Sequence, residues 1–309
     1  MALTLVEAAK LHDGEDVRSA VIQLFAMSSD ILRVMPFDDI EGGSLTYNQE
    51  DTLPGVAFRG VNGSYTESTG VINPVVEKLV IAGGDLDVDL AILKMLGQDQ
   101  RAVQEAMKVK ALAHKIGYTI IKGDSATTAK EFDGLQVRLT GNQLVAAGST
   151  ANGDALSLAK LDQLIDAVDS PTHLIMSKAM RRLLTAAART TTVGGYITYS
   201  QDEFGRRISM YNELPILLAD ANSDLYSTLA FNEACPGGGT STGTSIYCVS
   251  FGEGMYQGIQ NGVMEVRDLG ELQTKPSMRT RVEWLVAQTL WHPRAAARLW
   301  GISNATVTV

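Results

Sequence analysis

The stretch EGGSLTYNQEDTLPGVAFRGVNGSYTESTG, residues 41–70, limits most sharply what this chain can fold into. It reads as two extended segments, 44–51 and 56–62, separated by Leu53-Pro54-Gly55. Polar residues, β-branched residues and glycines outnumber anything that could form a core. A two-stranded hairpin with no hydrophobic face is marginal in water by itself. The fold therefore has to carry a projecting arm whose support comes from somewhere else.

The rest of the chain can build a core. It has 309 residues, 45% of them hydrophobic and 20% charged, which is ordinary for a globular protein and excludes wholesale disorder. The net charge of −9 argues against a sequence-independent grip on nucleic acid, which needs clustered Lys and Arg, so no sticking to DNA or RNA is expected. Cys235 and Cys248 are the only cysteines, too few for a secreted disulfide framework. They flank a Gly/Ser/Thr-rich turn that could bring them together, but reduced thiols are the expectation. The start MALTLVEAAKLHDGED lacks the pattern of a signal peptide, and no run reaches the length of a membrane span. A cytoplasmic product with no membrane partner is expected.

Residues 3–34 show apolar positions at three-to-four spacing and read as helical, broken near Asp13-Gly14. After the arm, residues 71–82 are rich in valine and isoleucine and read as a strand, turned by Gly83-Gly84-Asp85 into a short helix over 88–96. Gly97 ends that helix, and Asp99 is placed to cap the next. QRAVQEAMKVKALAHKIGYTII then aligns Val103, Met107 and Ile116 on one stripe, which predicts a long helix packed through those residues. Helices are predicted over 157–168 and 177–189, with an extended piece at 173–176 between them. From Gly195 the chain is mostly β, with a hairpin around 202–205 and strands over 280–291 and 296–302. This order lacks regular βαβ alternation and fits α+β.

No catalytic signature emerges. CPGGGTSTGTS lacks the lysine of a phosphate loop and reads as a mobile surface turn. DANSD (Asp220, Asn222, Asp224) and DLDVD (Asp85, Asp87, Asp89) open like calcium loops, but each has leucine where the sixth-position glycine belongs. Both read as solvated carboxylates. His12, His114, His173 and His292 have no partner at ligand spacing. No enzyme activity, cofactor or metal is expected.

Taken together, the pieces resemble the major capsid protein of tailed bacteriophages, built on the Hong Kong 97 type capsid fold. The polar hairpin after an N-terminal arm is similar to that fold's extended loop. VVEKLVIAGGDLDVDLAILKMLGQDQRAVQEAMKVKALAHKIGYTIIKGD resembles the strand, short helix and long spine helix of its peripheral (P) domain. FDGLQVRL is similar to the segment that follows the spine, SLAKLDQLIDAV and PTHLIMSKAMRRLLTAAAR to the two axial (A) domain helices. RVEWLVAQTLWHPRAAARLWGI is similar to the strands returning to the P domain.

The resemblance implies an N-terminal arm over 1–40, an extended loop over 41–75, a P domain over 76–140 and 268–309, and an A domain over 141–267. It implies that the arm lies across a neighbouring subunit, with Leu45, Tyr47, Leu53, Val56, Phe58, Arg59, Val61 and Tyr65 as contacts. The implied function is a self-assembling icosahedral shell of hexamers and pentamers, enclosing double-stranded DNA without specific binding, made in the host cytoplasm and resident in the virion. Partners would be a portal, a decoration protein and a scaffolding protein. Some forty residues precede the arm, so the scaffolding protein is expected as a separate chain. Some relatives cross-link through an arm lysine; here no lysine lies between Lys10 and Lys78. Two alternatives stand beside this reading: an encapsulin compartment of the same fold, and an α+β enzyme with an unrecognised site.

Overall fold

The computed structural model describes residues 3–4, 29–96, 99–189, 197–201, 207–219 and 228–308. Two β-sheets and one long helix, Asp99–Lys122, carry the architecture. The first sheet has six strands: β1 (Leu3–Thr4), β2 (Pro36–Asp39), β5 (Val80–Asp89), β12 (Tyr256–Gln260), β13 (Glu265–Glu271) and β14 (Ser277–Leu290). β14 is its axis. One edge of β14 pairs with β5 from Ser277↔Asp89 to Val286↔Val80, and the other pairs first with β13 and then with β12. Its sequence explains this double use. Val282, Trp284 and Val286 alternate inward with Arg281, Glu283 and Leu285 outward; beyond Val286 every residue to Leu290 is buried.

The long helix lies on the inner face of this sheet. Val109, Leu112, Ala113, Ile116, Ile120 and Ile121 are buried in one core with Val282, Trp284 and Val286. Ile116 thus packs as expected, but Val103 and Met107 do not: they are 51% and 60% exposed. The nine residues from Met107 to Ile116 are two and a half helical turns, so the two side chains leave opposite sides of the helix.

The second sheet has seven strands in the order β6 (Leu144–Ala146), β15 (Ala296–Ile302), β11 (Thr244–Val249), β7 (His173–Met176), β10 (Leu214–Leu218), β9 (Arg207–Tyr211) and β8 (Ile197–Gln201). Its central strands are buried on both faces. Along β11, Ile246 and Cys248 face one core while Tyr247 and Val249 face the other, and Leu174/Ile175 and Ile216/Leu217 split the same way. Two helices, Leu158–Asp166 and Lys178–Ala187, cover the first of these faces through Leu161, Leu164, Met180 and Leu184. Ser177 accepts a hydrogen bond from the Met180 amide at 3.2 Å and starts the second helix.

Several sequence expectations change. The expected helix over 3–34 falls mainly outside the described residues; Leu3–Thr4 is a strand and Asp30–Val34 a helix. Gly83-Gly84 is no turn but the middle of β5. A Cβ on Gly83 would sit 2.2 Å from the Val282 carbonyl oxygen, so glycine is what lets the two strands approach there. The CPGGGTSTGTS turn is pinned: Asn152 Oδ1 accepts from the Thr240 amide (2.7 Å) and hydroxyl (2.8 Å). Cys235 and Cys248 are both buried free thiols. Asp85 and Asp87 are engaged by arginines rather than simply solvated, and Asp89 accepts from the Ala91 amide at a helix start. DANSD lies outside the described residues. The sheets also cross the expected division at 267/268, since β12 joins the six-stranded sheet and β15, after the His292-Pro293 break, joins the seven-stranded one.

Candidate assembly interface

The arm is a third sheet, β3 (Ser44–Thr52) paired antiparallel with β4 (Val71–Lys78), from Ser44↔Lys78 out to Thr52↔Val71. The partner strand is therefore the valine-rich run, and the expected second strand over 56–62 is not formed. Pairing places Leu45 opposite Glu77 and Tyr47 opposite Val75, all on one face. That face makes the arm's root part of the subunit. Tyr47 is 7% exposed, donates its hydroxyl to the Leu290 carbonyl at 3.0 Å, and packs its ring 4.6 Å from Trp291. Burial pushes its phenol up to about 12. Leu45 packs against the main core. Leu45 and Tyr47 are thus anchors within the subunit, not contacts available to a neighbour.

A buried ion pair completes the root. Arg138, on the short helix Leu135–Arg138, grips Glu77 with both terminal nitrogens, one at 2.7 Å, and donates its Nε to the Asp133 carbonyl at 2.7 Å. Gln288 of β14 donates to the same carbonyl at 2.6 Å. Removing one partner of a buried pair leaves the other charge uncompensated, which costs about 3–5 kcal/mol. Arg138→Ala is expected to lower the thermal midpoint and loosen the root, read as faster amide exchange in Val71–Lys78. Unchanged exchange there would show that Tyr47 alone holds the arm.

Beyond the root the arm makes no packing contact with the body of the subunit among the described residues. Leu53, Val56, Phe58 and Val61 are 76%, 94%, 105% and 97% exposed, and Tyr65 is 63% exposed. Among the described residues the tip is braced by its own hydrogen bonds. Ser68 donates to the Gly55 carbonyl (2.9 Å), the Gly63 amide donates to Gly60, and Arg59 donates to the Gly63 carbonyl while lying 5.3 Å over the Tyr65 ring. These bonds shape a tip that presents bare apolar side chains.

Beside the root runs an apolar groove of about 450 Å³ between β5, the long helix and residues 128–132. Its walls include Ile81, Leu112, Ile116 and Phe132, and its rim carries Lys108, Lys115 and Lys130. Lys115 pairs with Glu131 at 2.6 Å. A second hollow shares Val80, Ile81, Lys130, Glu131 and Phe132 and extends the groove toward Arg138. Neither feature is visible in the sequence, because the groove's walls come from three separated segments.

The outward face of the six-stranded sheet is polar instead. Asp85 receives Arg281 in two hydrogen bonds (2.7 and 3.0 Å), and Asp87 receives Arg279 likewise (2.6 and 2.8 Å). These guanidinium bonds hold both carboxyls below the usual carboxylate range. Arg101 ties the start of the long helix to β13 through Asp268 at 2.8 Å.

Residues 13–160 match the family model of the major capsid protein GP7. No curated protein matches the sequence. Among solved structures, the fold is similar to a chain of the holo-SrpI encapsulin complex from Synechococcus elongatus PCC 7942. There the TM-score is 0.64 at 16% identity, covering 90% of this chain and 89% of that one. A chain of Mycobacterium phage Bobi gives 0.58 at 11% identity, covering 88% and 89%. A chain of the phage G assembly of gp27 major capsid proteins and gp26 decoration proteins gives 0.56 at 12%, covering 86% and 87%. Residues 13–160 are thus similar to the major capsid protein GP7 family, and the chain has a fold of the Hong Kong 97 capsid type.

Proposed function

We propose that copies of this chain close into an icosahedral shell of hexamers and pentamers around the double-stranded DNA of a tailed bacteriophage, each copy laying its arm tip into the groove of a neighbour. The observation that carries this is the bare tip on an anchored root. Val56, Phe58 and Val61 stand almost wholly in water while Tyr47 and Glu77 hold the arm's base to its own subunit. Burying each such side chain is worth about 1.5–3 kcal/mol. Charge agrees with the fit: residues 44–70 carry Glu50, Asp51 and Glu67 against the single Arg59, and the groove's rim offers Lys108 and Lys130. In this reading Leu53, Val56, Phe58, Arg59, Val61 and Tyr65 are the inter-subunit contacts. The six-stranded sheet with the long helix serves as the P domain, and the seven-stranded sheet with its two helices as the A domain. A portal, a separate scaffolding protein and a decoration protein are the partners, with assembly in the host cytoplasm.

An encapsulin compartment is the second reading, favoured by the SrpI likeness. The capsid reading rests on the family match, which the fold likeness alone does not supply. The contents of purified particles decide: nucleic acid supports a genome shell, and a co-purifying enzyme in place of it overturns that. The shell is also expected to lack covalent cross-links through the arm, since no lysine lies between Lys10 and Lys78. Boiled, reduced particles should run as one band near 33.2 kDa. A ladder of multimers would mean that a lysine outside the arm forms the bond.

A further inference from the structure

The chain has nine more acidic than basic residues, yet residues 170–201 contain no Asp or Glu and do contain Lys178, Arg181, Arg182 and Arg189. The fold gathers these four cations on one flank of the helix Lys178–Ala187 and the turn that closes it. Lys178 and Arg182 are one turn apart, Arg181 lies beside them, and Arg189, eleven residues after Lys178, returns to the same side after three turns. The opposite side carries Met180 and Leu184, both fully buried, which seat the helix on the seven-stranded sheet. Lys178, Arg182 and Arg189 are exposed and Arg181 is half-buried.

Among the described residues eight arginines have a carboxylate partner: Arg33 with Asp30, Arg101 with Asp268, Arg138 with Glu77, Arg267 with Glu283, Arg279 with Asp87, Arg281 with Asp85, Arg294 with Asp169 and Arg298 with Glu233. The four cations of this flank have none among the described residues. On the neighbouring helix, Leu158–Asp166, Lys160 offsets one of Asp162 and Asp166, and Asp162 is taken by the Tyr211 hydroxyl at 2.8 Å. Like charges at three- and four-residue spacing repel one another along a helix, so the stripe is unfavourable until an anion meets it.

The stripe is about 16 Å long at 1.5 Å per residue, twice the screening length of about 8 Å at physiological salt. Remote carboxylates of the acidic chain are therefore screened from whatever touches it. Between the cations stand only Thr185 and Ala186. An acidic protein segment would find almost no apolar contact there, whereas a phosphate backbone needs none, and the Arg fork fits phosphate oxygens in pairs.

We propose that this flank binds the sugar–phosphate backbone of double-stranded DNA without reading its sequence. The choice of polyanion rests on the reading of the protein as a shell around a DNA genome. Such binding runs against the expectation drawn from net charge, because a sum of −9 over the chain does not show how the charges are distributed over its faces. Four phosphate contacts predict a slope of log Kobs against log salt of about −3.6, or about 150-fold weaker binding at 200 mM than at 50 mM.

The test is fluorescence anisotropy of a labelled 30-base-pair duplex (about three helical turns) with the full chain across that salt range. The wild type should show the steep slope. The variant K178Q/R181Q/R182Q should bind at least tenfold more weakly at 50 mM, with a slope near −0.9 for the one remaining contact. R182Q/R189Q, confined to exposed positions, should fall between, and both variants should melt and sediment as the wild type does. Equal binding by wild type and variants, or no binding by the wild type at 50 mM, overturns the proposal. A polyglutamate peptide of matched charge that outcompetes the duplex would assign the face to an acidic protein instead. Stripe-dependent binding by a chain that forms no shells would uphold this inference and sink the shell reading, so the two fail separately.

Discussion

Deleting residues 53–70 and joining Thr52 to Val71 through a two-residue Asn-Gly turn is expected to leave a folded subunit that forms no shells. Thr52 and Val71 are register partners, so a tight hairpin turn can close the arm at that point without disturbing the pairs below it. Everything that anchors the root survives the deletion: Tyr47 on Leu290 and Trp291, Leu45 on the core, Glu77 on Arg138. What is lost is the tip, whose apolar side chains are exposed and make no packing contact with the body of the subunit among the described residues. Each buried tip side chain supplies about 1.5–3 kcal/mol, and every 1.4 kcal/mol is a factor of about ten in a contact's equilibrium constant. A shell repeats that contact at every subunit, so its loss compounds. Melting should be unchanged and sedimentation should report monomers or small oligomers. Normal particles from the deletion would mean that the tip plays no part in assembly.

The second large effect separates two positions on one helix. Ile116→Asp places a carboxylate in the core beside Trp284 and Ile120, where Ile116 is 2% exposed, at a cost of several kcal/mol, on the order of a large fraction of a domain's stability. Insoluble protein is the expected outcome. Met107→Asp, on the opposite side of the helix at 60% exposure, should fold and melt close to the wild type. Any effect of that change should appear only in particle yield. Equal damage from both would place the helix in a rotation different from the one described here.

The contrast between these residues also shows where the sequence was legible. Long β14 and β15, the helices of the seven-stranded sheet and the existence of the long helix are local patterns, and local patterns are what a sequence displays. The rotation of that helix was harder. A stripe drawn from Val103 and Met107 to Ile116 skips across faces, and only the run Val109, Leu112, Ala113, Ile116, Ile120 advances at the helical period. The arm was legible as an arm, but its pairing was not. The valine-rich run reads as a strand following the arm, yet it is the arm's own second strand, and a single acid within it, Glu77, is the one visible sign of the buried pair with Arg138. The glycines at 83–84 resembled a turn because sequence does not distinguish a bend from a close approach of two backbones. The groove, built from β5, the long helix and residues 128–132, left no local trace, and the basic flank of the helix Lys178–Ala187 was hidden by a net charge of the opposite sign.

Assembly as proposed depends on the arm tip of one copy filling the groove of the next. A cryo-electron microscopy map of particles assembled from the purified full-length chain tests it directly. Closed shells are expected in which Phe58 lies within about 4 Å of Ile81 or Leu112 of a neighbouring copy. Closed shells with Phe58 in solvent, or a chain that never leaves the monomer at assembly concentrations, would contradict it.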